Sequence, residues 1–234
     1  MKAILKRELK AYFYSPIGYV CVGVLVLLYG YYFYQVMMLR SSSYIANVYG
    51  TMFMWSMMFI PIVTMRSFSE ENKNRTDQAL LTAPVGVTSI VLGKFLAAFL
   101  VFAFATLESL LPVLVIGLFS SPSWPLIFGN LFGALLYGAA MASIGVFLSS
   151  LTQSQVVAAV STFGVSILLL VIDQISSLVT SPVVQKLIQW ISFNSRYSAF
   201  TKGTFDISSL VFFLSVIAVF VFLTARKLES RRWS

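Results

Sequence analysis

Six apolar runs, at residues 17–38, 48–65, 95–119, 126–151, 156–172 and 207–225, divide this 234-residue chain. A hydrocarbon core about 30 Å thick is crossed by about 20 residues of helix, and a chain inside it has to satisfy its own backbone groups. None of the runs alternates apolar with polar residues as a barrel strand would. The sequence therefore reads as an all-α polytopic membrane protein with six transmembrane helices, one membrane domain over residues 1–234.

Composition agrees with this class. Hydrophobic residues make up 59% and charged residues 10%, with a mean hydropathy of +0.88, whereas a soluble domain is roughly 25% charged. The net charge of +8 would suggest nucleic acid on a soluble chain. Here the basic residues stand at the ends of apolar runs rather than in one patch, so nucleic acid is set aside as a partner. There is no histidine, and the single cysteine, Cys21, lies inside the first run. A zinc site of His and Cys and a disulfide framework are both excluded. The run at 17–38 is too long for the apolar part of a secretory signal and is read as a retained membrane helix.

Lys and Arg set the expected orientation. With the N-terminus inside, Lys2, Lys6, Arg7, Lys10, Arg66, Lys73, Arg75, Lys94, Arg226, Lys227, Arg231 and Arg232 are cytoplasmic. Only Arg40, Lys186, Arg196 and Lys202 remain outside. Both termini are therefore expected in the cytoplasm. Tyr29, Tyr31, Tyr32 and Tyr34 then fall at the outer end of the first span, where aromatic residues favour the interface.

The segments between runs carry further expectations. Residues 1–15 form an amphipathic helix, with Ile4, Leu5, Leu9, Tyr12 and Phe13 on one face and Lys2, Lys6, Arg7 and Lys10 on another. Such a helix lies in the membrane interface with its cations towards anionic lipid, and Pro16 breaks it before the first span. The loop 66–94 is the longest cytoplasmic segment. In it Ser67 or Ser69 is expected to cap a short helix with Glu70 and Glu71 in its first turn. A second turn over 76–81 ends at Pro84. Ser149, Ser150, Thr152, Gln153, Ser154 and Gln155 form a polar hinge between spans four and five. The segment 173–206 is expected outside. It includes a half-buried helix with Val183, Val184, Leu187, Ile188 and Ile191 on one face.

No phosphate loop G-x-x-x-x-G-K-[ST], no H-E-x-x-H and no G-x-S-x-G occurs in the chain, so any work it performs is driven by a gradient or by a partner. Glu108 is the one formal charge within the runs, and a charge at mid-bilayer costs at least about 2.5 kcal/mol. It either lines a polar path or is held by a neighbouring helix. Asn130, in span four, is a second candidate for that path. Gly129, Gly133, Ala134, Gly138 and Ala142 form a small-residue stripe for close helix approach, within the chain or at a dimer seam. Pro112 is expected to put a kink in span three, for packing or as a gate.

At the loop after span two a family likeness emerges. Arg66-Ser67-Phe68-Ser69-Glu70-Glu71, followed by Thr76-Asp77-Gln78-Ala79-Leu80-Leu81-Thr82-Ala83-Pro84-Val85, resembles the coupling segment of ABC-2-type permeases, in particular the compact gliding-motility type. Ile90-Val91-Leu92-Gly93-Lys94 and Ser149-Ser150-Leu151-Thr152 with Gln155 and Ala158 are similar to that family's flanks. So are Arg196-Tyr197, Phe200, Gly203 and Asp206 before the last span. Many members carry Gly before the Thr of the coupling segment, where this chain has Arg75.

The resemblance implies an ABC-2 (type V exporter-like) transmembrane domain in the prokaryotic inner membrane, pairing with a second permease subunit. A separate ABC ATPase subunit would supply ATP and Mg, leaving this chain a non-enzymatic transport subunit without a cofactor. It implies ATPase docking by Glu70, Glu71, Thr76, Asp77, Leu80 and Leu81, and export as the direction. Two other readings stay open on the residues alone: a gradient-driven carrier or channel, and a non-transporting assembly subunit.

Overall fold

Proline and glycine fix where the helices break. In the computed structural model, which describes residues 1–39, 45–76, 85–119, 123–178 and 182–232, α1 (Lys2–Tyr14) ends at Ser15 in an extended conformation. Pro16 disfavours helical geometry in the residue before it and is itself well suited to open α2 (Pro16–Leu39). The elbow is tight. A Cβ on Gly18 would stand 2.3 Å from the Tyr12 carbonyl oxygen, so only glycine fits there.

The chain continues through α3 (Ile45–Thr64), α4 (Arg66–Asn74), α5 (Val87–Glu108) and α6 (Leu110–Phe119). It then forms α7 (Trp124–Leu151), α8 (Gln155–Leu178), α9 (Pro182–Ile191), α10 (Phe193–Thr201) and α11 (Ile207–Arg232). Every regular element among the described residues is a helix. Among the described residues, five helical stretches are long and apolar enough to cross a bilayer: Gly18–Gln35, Val87–Val115, Trp124–Leu151, Gln155–Ile172 and Ile207–Arg232. The run expected at 48–65 falls in the 20-residue α3, which is not one of the five.

The third run breaks in its middle. Pro112 has no N–H to offer the Glu108 carbonyl four residues back, and its ring crowds that carbonyl. The helix accordingly stops at Glu108 and restarts at Leu110. Ser109 caps the first half: its Oγ donates back to the Thr106 carbonyl at 2.6 Å. The 22-residue α5 begins at Val87, well before the run expected at 95–119.

α7 is the axis of the bundle, with 72% of its span buried against its neighbours. It packs on α3, α5, α10 and α11. Small residues let these helices approach. A Cβ at Gly145 would lie 2.2 Å from Thr64 Oγ1, one at Gly138 2.1 Å from the Phe102 ring, and one at Gly133 2.8 Å from Phe200 Cβ. The small-residue stripe is thus filled from within the chain.

By contrast, α2 buries 28% of its span, and α8 and α11 only 17% each. Their apolar faces, carrying Leu27, Val160, Leu168 and Phe222 among others, are exposed.

The segment between α8 and α11 holds more structure than expected. α8 runs past residue 172 to Leu178, and the expected short helix appears as α9. On it Val183 and Ile191 are exposed and Ile188 is half-buried. A further helix, α10, follows. Ser192 Oγ caps it by accepting the Ser195 N–H at 2.9 Å. It inserts Phe193, Tyr197 and Phe200, all buried, against α7 and α11.

Candidate functional site

The residues that join α1, α4, α5, α7 and α11 gather at one end of the bundle, around α4. This helix is almost continuous with α3, because Met65 keeps helical angles. Glu70 and Glu71 therefore lie inside α4 and not in its first turn, and neither Ser67 nor Ser69 caps it. Ser69 Oγ instead donates back to the Met65 carbonyl. The helix ends at Arg75, in the left-handed conformation with φ 56°. The Thr76 N–H closes the end on the Glu71 carbonyl at 3.1 Å, a Schellman-type closure that glycine usually serves.

Lys94, at the start of span three, is the centre of the charge network. Its side chain is 2% exposed. The ammonium donates to the Ser67 carbonyl at 2.6 Å and to Glu8 Oε1 at 3.1 Å. Glu71 Oε2 lies 3.0 Å away, in an ion-pair contact not aligned as a hydrogen bond. Arg7 completes the ring, donating to Glu8 Oε1 at 2.6 Å and Glu71 Oε1 at 2.7 Å. The Phe68 ring lies under the ammonium, 5.0 Å to its centroid. Two cations, Lys94 buried and Arg7 half-exposed, face two largely buried carboxylates, so the charge of the cluster is balanced, as a low-dielectric site demands.

Beside this ring Tyr12 is fully buried, its hydroxyl donating to the Val63 carbonyl at 2.8 Å. Burial pushes its phenol up to about 12, against the opposing hydrogen bond with Ser67. A cavity of about 260 Å³ opens between α1 and α4, lined by Arg7, Glu8, Arg66, Glu70, Glu71 and Lys94.

The other face of α4 is clamped by the end of α7. Ser149 Oγ accepts from the backbone N–H groups of Phe68 and Ser69 at 3.0 and 3.1 Å, and donates to the Met65 carbonyl at 2.9 Å. One hydroxyl thereby uses its donor and both lone pairs. Asn72 Nδ2 donates to the carbonyls of Thr152 at 3.0 Å and Ser150 at 3.4 Å. Arg231, in the last turn of α11, donates to Asn72 Oδ1 at 2.7 Å. Ser149 and Ser150 are thus helical, and the polar hinge shortens to 152–154.

The residues expected to dock a partner are divided by this geometry. Glu71 faces inward, into the charge network. Glu70 pairs with Arg66 at 3.1 Å on the half-exposed side, and Thr76 is exposed. Asp77, Leu80 and Leu81 lie outside the described residues. Arg7 turns to the network while half of its side chain stays exposed, and Lys2, Lys6 and Lys10 are exposed as well.

Glu108 and Asn130 belong elsewhere. Glu108 is half-buried at the helix break and has no ion-pair partner among the described residues. Asn130 is 1% exposed. Its Nδ2 donates to the Leu126 carbonyl at 2.7 Å, and its Oδ1 has no partner among the described residues.

Sequence reasoning passed over Glu8, Tyr12, Asn72 and the central role of Lys94. The signal for Lys94 was available: it directly precedes the run at 95–119, in a stretch that becomes a buried helix. Its partners were not, since they come from distant helices.

Apolar helices of bilayer length, joined at one end by a buried polar hub, make this a multi-pass membrane protein. The chain belongs to the ABC-2 family transporter proteins, whose family model matches residues 2–232. It is accordingly of the class of ABC-transporter membrane permeases. No well-characterised protein aligns with it at a significant level.

Proposed function

We propose that this chain is the membrane-spanning permease subunit of an ABC exporter in the cytoplasmic membrane, with both termini inside. It couples ATP hydrolysis on a separate nucleotide-binding subunit to movement of substrate along a path shared with a second permease subunit. The observation that carries the reading is the network of buried Lys94, the largely buried Glu8 and Glu71, and half-exposed Arg7, which ties α4 to α1 and to the first turns of α5.

Through Ser149 and Asn72 the same short helix also holds the ends of α7 and α11. A push on α4 is therefore delivered to the ends of three long helices at once. Packed, hydrogen-bonded contacts of this kind shift as a unit rather than deform gradually. In this mechanism the exposed Glu70 and Thr76, with Asp77, Leu80 and Leu81 following them, receive the ATPase, while Glu71 transmits within the subunit. ATP and Mg stay on the partner. Glu108 and Asn130 are assigned to the substrate path, at the break in span three and in span four.

The experiment is co-expression of the permease with candidate ABC ATPase subunits and their co-purification, followed by measurement of ATP hydrolysis in proteoliposomes. Glu70→Lys combined with Leu80→Asp and Leu81→Asp is expected to release the ATPase while the permease still inserts. Undiminished retention of the ATPase overturns the docking assignment. Glu108→Gln is expected to change transport while leaving assembly intact, and equal transport would return it to a structural role.

A further inference from the structure

We propose that the outer groove of α1 is a discrete binding site for an anionic phospholipid. The inference rests on α1 lying in the membrane interface and deepens that reading from a lipid-facing helix to a specific site. The groove measures about 650 Å³. Lys2, Lys6 and Lys10 line one side of it and Leu5, Leu9 and Phe13 its floor. Residues four apart rise about 6 Å along a helix, so the ammonium groups form a row on one face.

All three lysines are exposed, and none has an ion-pair partner among the described residues. The nearby acids are committed elsewhere: Glu8 and Glu71 are held by Arg7 and Lys94. No acidic side chain among the described residues lines the groove. It offers three positive charges over an apolar floor, complementary to a ligand with a negative head and a hydrocarbon body.

The geometry beyond the groove selects lipid over an acidic protein surface. At the elbow Tyr19 meets Phe13 edge-to-face, with ring centroids 5.8 Å apart. From Tyr19 the four-residue steps along α2 reach Gly23, Leu27 and Tyr31. Tyr19, Leu27 and Tyr31 are 62%, 75% and 57% exposed. A Cβ at Gly23 would meet nothing within 4 Å, which leaves a shallow track between Tyr19 and Leu27. The head phosphate lies against the lysines and the acyl chains follow this track into the bilayer. Only a lipid uses both halves.

The test uses the full chain reconstituted in phosphatidylcholine vesicles with spin-labelled phosphatidylglycerol or phosphatidylcholine, reading the motionally restricted fraction of each probe. The wild type is expected to prefer phosphatidylglycerol several-fold, with the preference falling as salt is added. Lys2→Gln, Lys6→Gln and Lys10→Gln together remove it, each lysine contributing up to about fivefold. Substitution of the same three lysines by Arg preserves it, and Lys6→Gln alone gives an intermediate value.

A control removes equal charge outside the groove, through Lys73→Gln, Lys227→Gln and Arg232→Gln, and is expected to keep the preference. Three results overturn the proposal: no preference in the wild type, an equal loss in the control, or an unchanged preference in the groove variant. If that unchanged preference came with loss of the co-purifying ATPase, the groove would belong to a protein partner. No ATP is needed for the lipid measurement, so its outcome is independent of the coupling reading above.

Discussion

Lys94 Nζ and Glu71 Oε2 stand 3.0 Å apart, with 2% and 17% of their side chains exposed. The pair joins the start of span three to the helix that follows span two, and Glu8 supplies a second carboxylate from α1. Removing one charge from such a group costs more than removing all of them, because the partners stay buried without compensation. This asymmetry makes the network testable.

Lys94→Met is expected to destabilise the protein by about 3 kcal/mol, read as a lower apparent Tm in detergent. Adding Glu8→Gln and Glu71→Gln to that variant should recover part of the loss. Strictly additive losses in the cycle of Lys94→Met and Glu71→Gln would remove the claim that the two residues act together.

Ser149→Ala leaves the N–H groups of Phe68 and Ser69 without their side-chain acceptor and takes a donor from the Met65 carbonyl. The expected loss is about 1–3 kcal/mol. If α4 drives α7 through this hydroxyl, coupled ATP hydrolysis should fall further than thermal stability alone explains. Hydrolysis that still responds fully to transport substrate would leave Ser149 as a purely structural clamp.

Arg75 is the one non-glycine residue with positive φ among the described residues. An L-residue in the left-handed region costs roughly 1–2 kcal/mol, which glycine escapes. Arg75→Gly should therefore hold or raise the apparent Tm, while the β-branched Arg75→Ile lowers it. The opposite order would show that the Arg75 side chain itself stabilises the helix end.

Tyr12 predicts a pH dependence. Its phenol titrates at about 12 in the fold against 10.0 for the free group, chiefly through burial. The folded state thus holds the proton more tightly than the unfolded state. The stabilisation is fully present below pH 10 and is lost as pH rises from 10 towards 12. Tyr12→Phe gives up the bond to the Val63 carbonyl, about 1 kcal/mol, but should show a shallower fall in Tm across that window. Parallel curves for the two proteins would contradict the burial.

Gly145→Ala places a methyl 2.2 Å from Thr64 Oγ1. Overpacking at a helix crossing costs typically about 1–3 kcal/mol. Thr64→Ala should restore part of it by removing two of the three nearest atoms. Thermal unfolding of the single and double variants measures the coupling.

The amino-acid order alone determined that the chain is helical and membrane-embedded. It also located the helix breaks at Pro16 and Pro112. These are local properties, since bilayer thickness counts residues and proline lacks an N–H wherever it stands. The family likeness, too, was legible in segments such as 66–71 and 149–152. Tertiary structure decided what those segments do. The motif residue Glu71 turned out to face inward, and Lys94, which reads as an ordinary cytoplasmic charge, became the buried centre of the hub. Ser67 and Ser69 lost the capping role their spacing suggested, because α4 begins at Arg66, almost continuous with α3. The small-residue stripe of α7 was legible as a contact surface. Its partners, Phe102 on α5 and Phe200 on α10, were not. The physical reason is the same each time: periodicity records which face of a helix is apolar, whereas a charge pair or a close crossing depends on which distant helix arrives there.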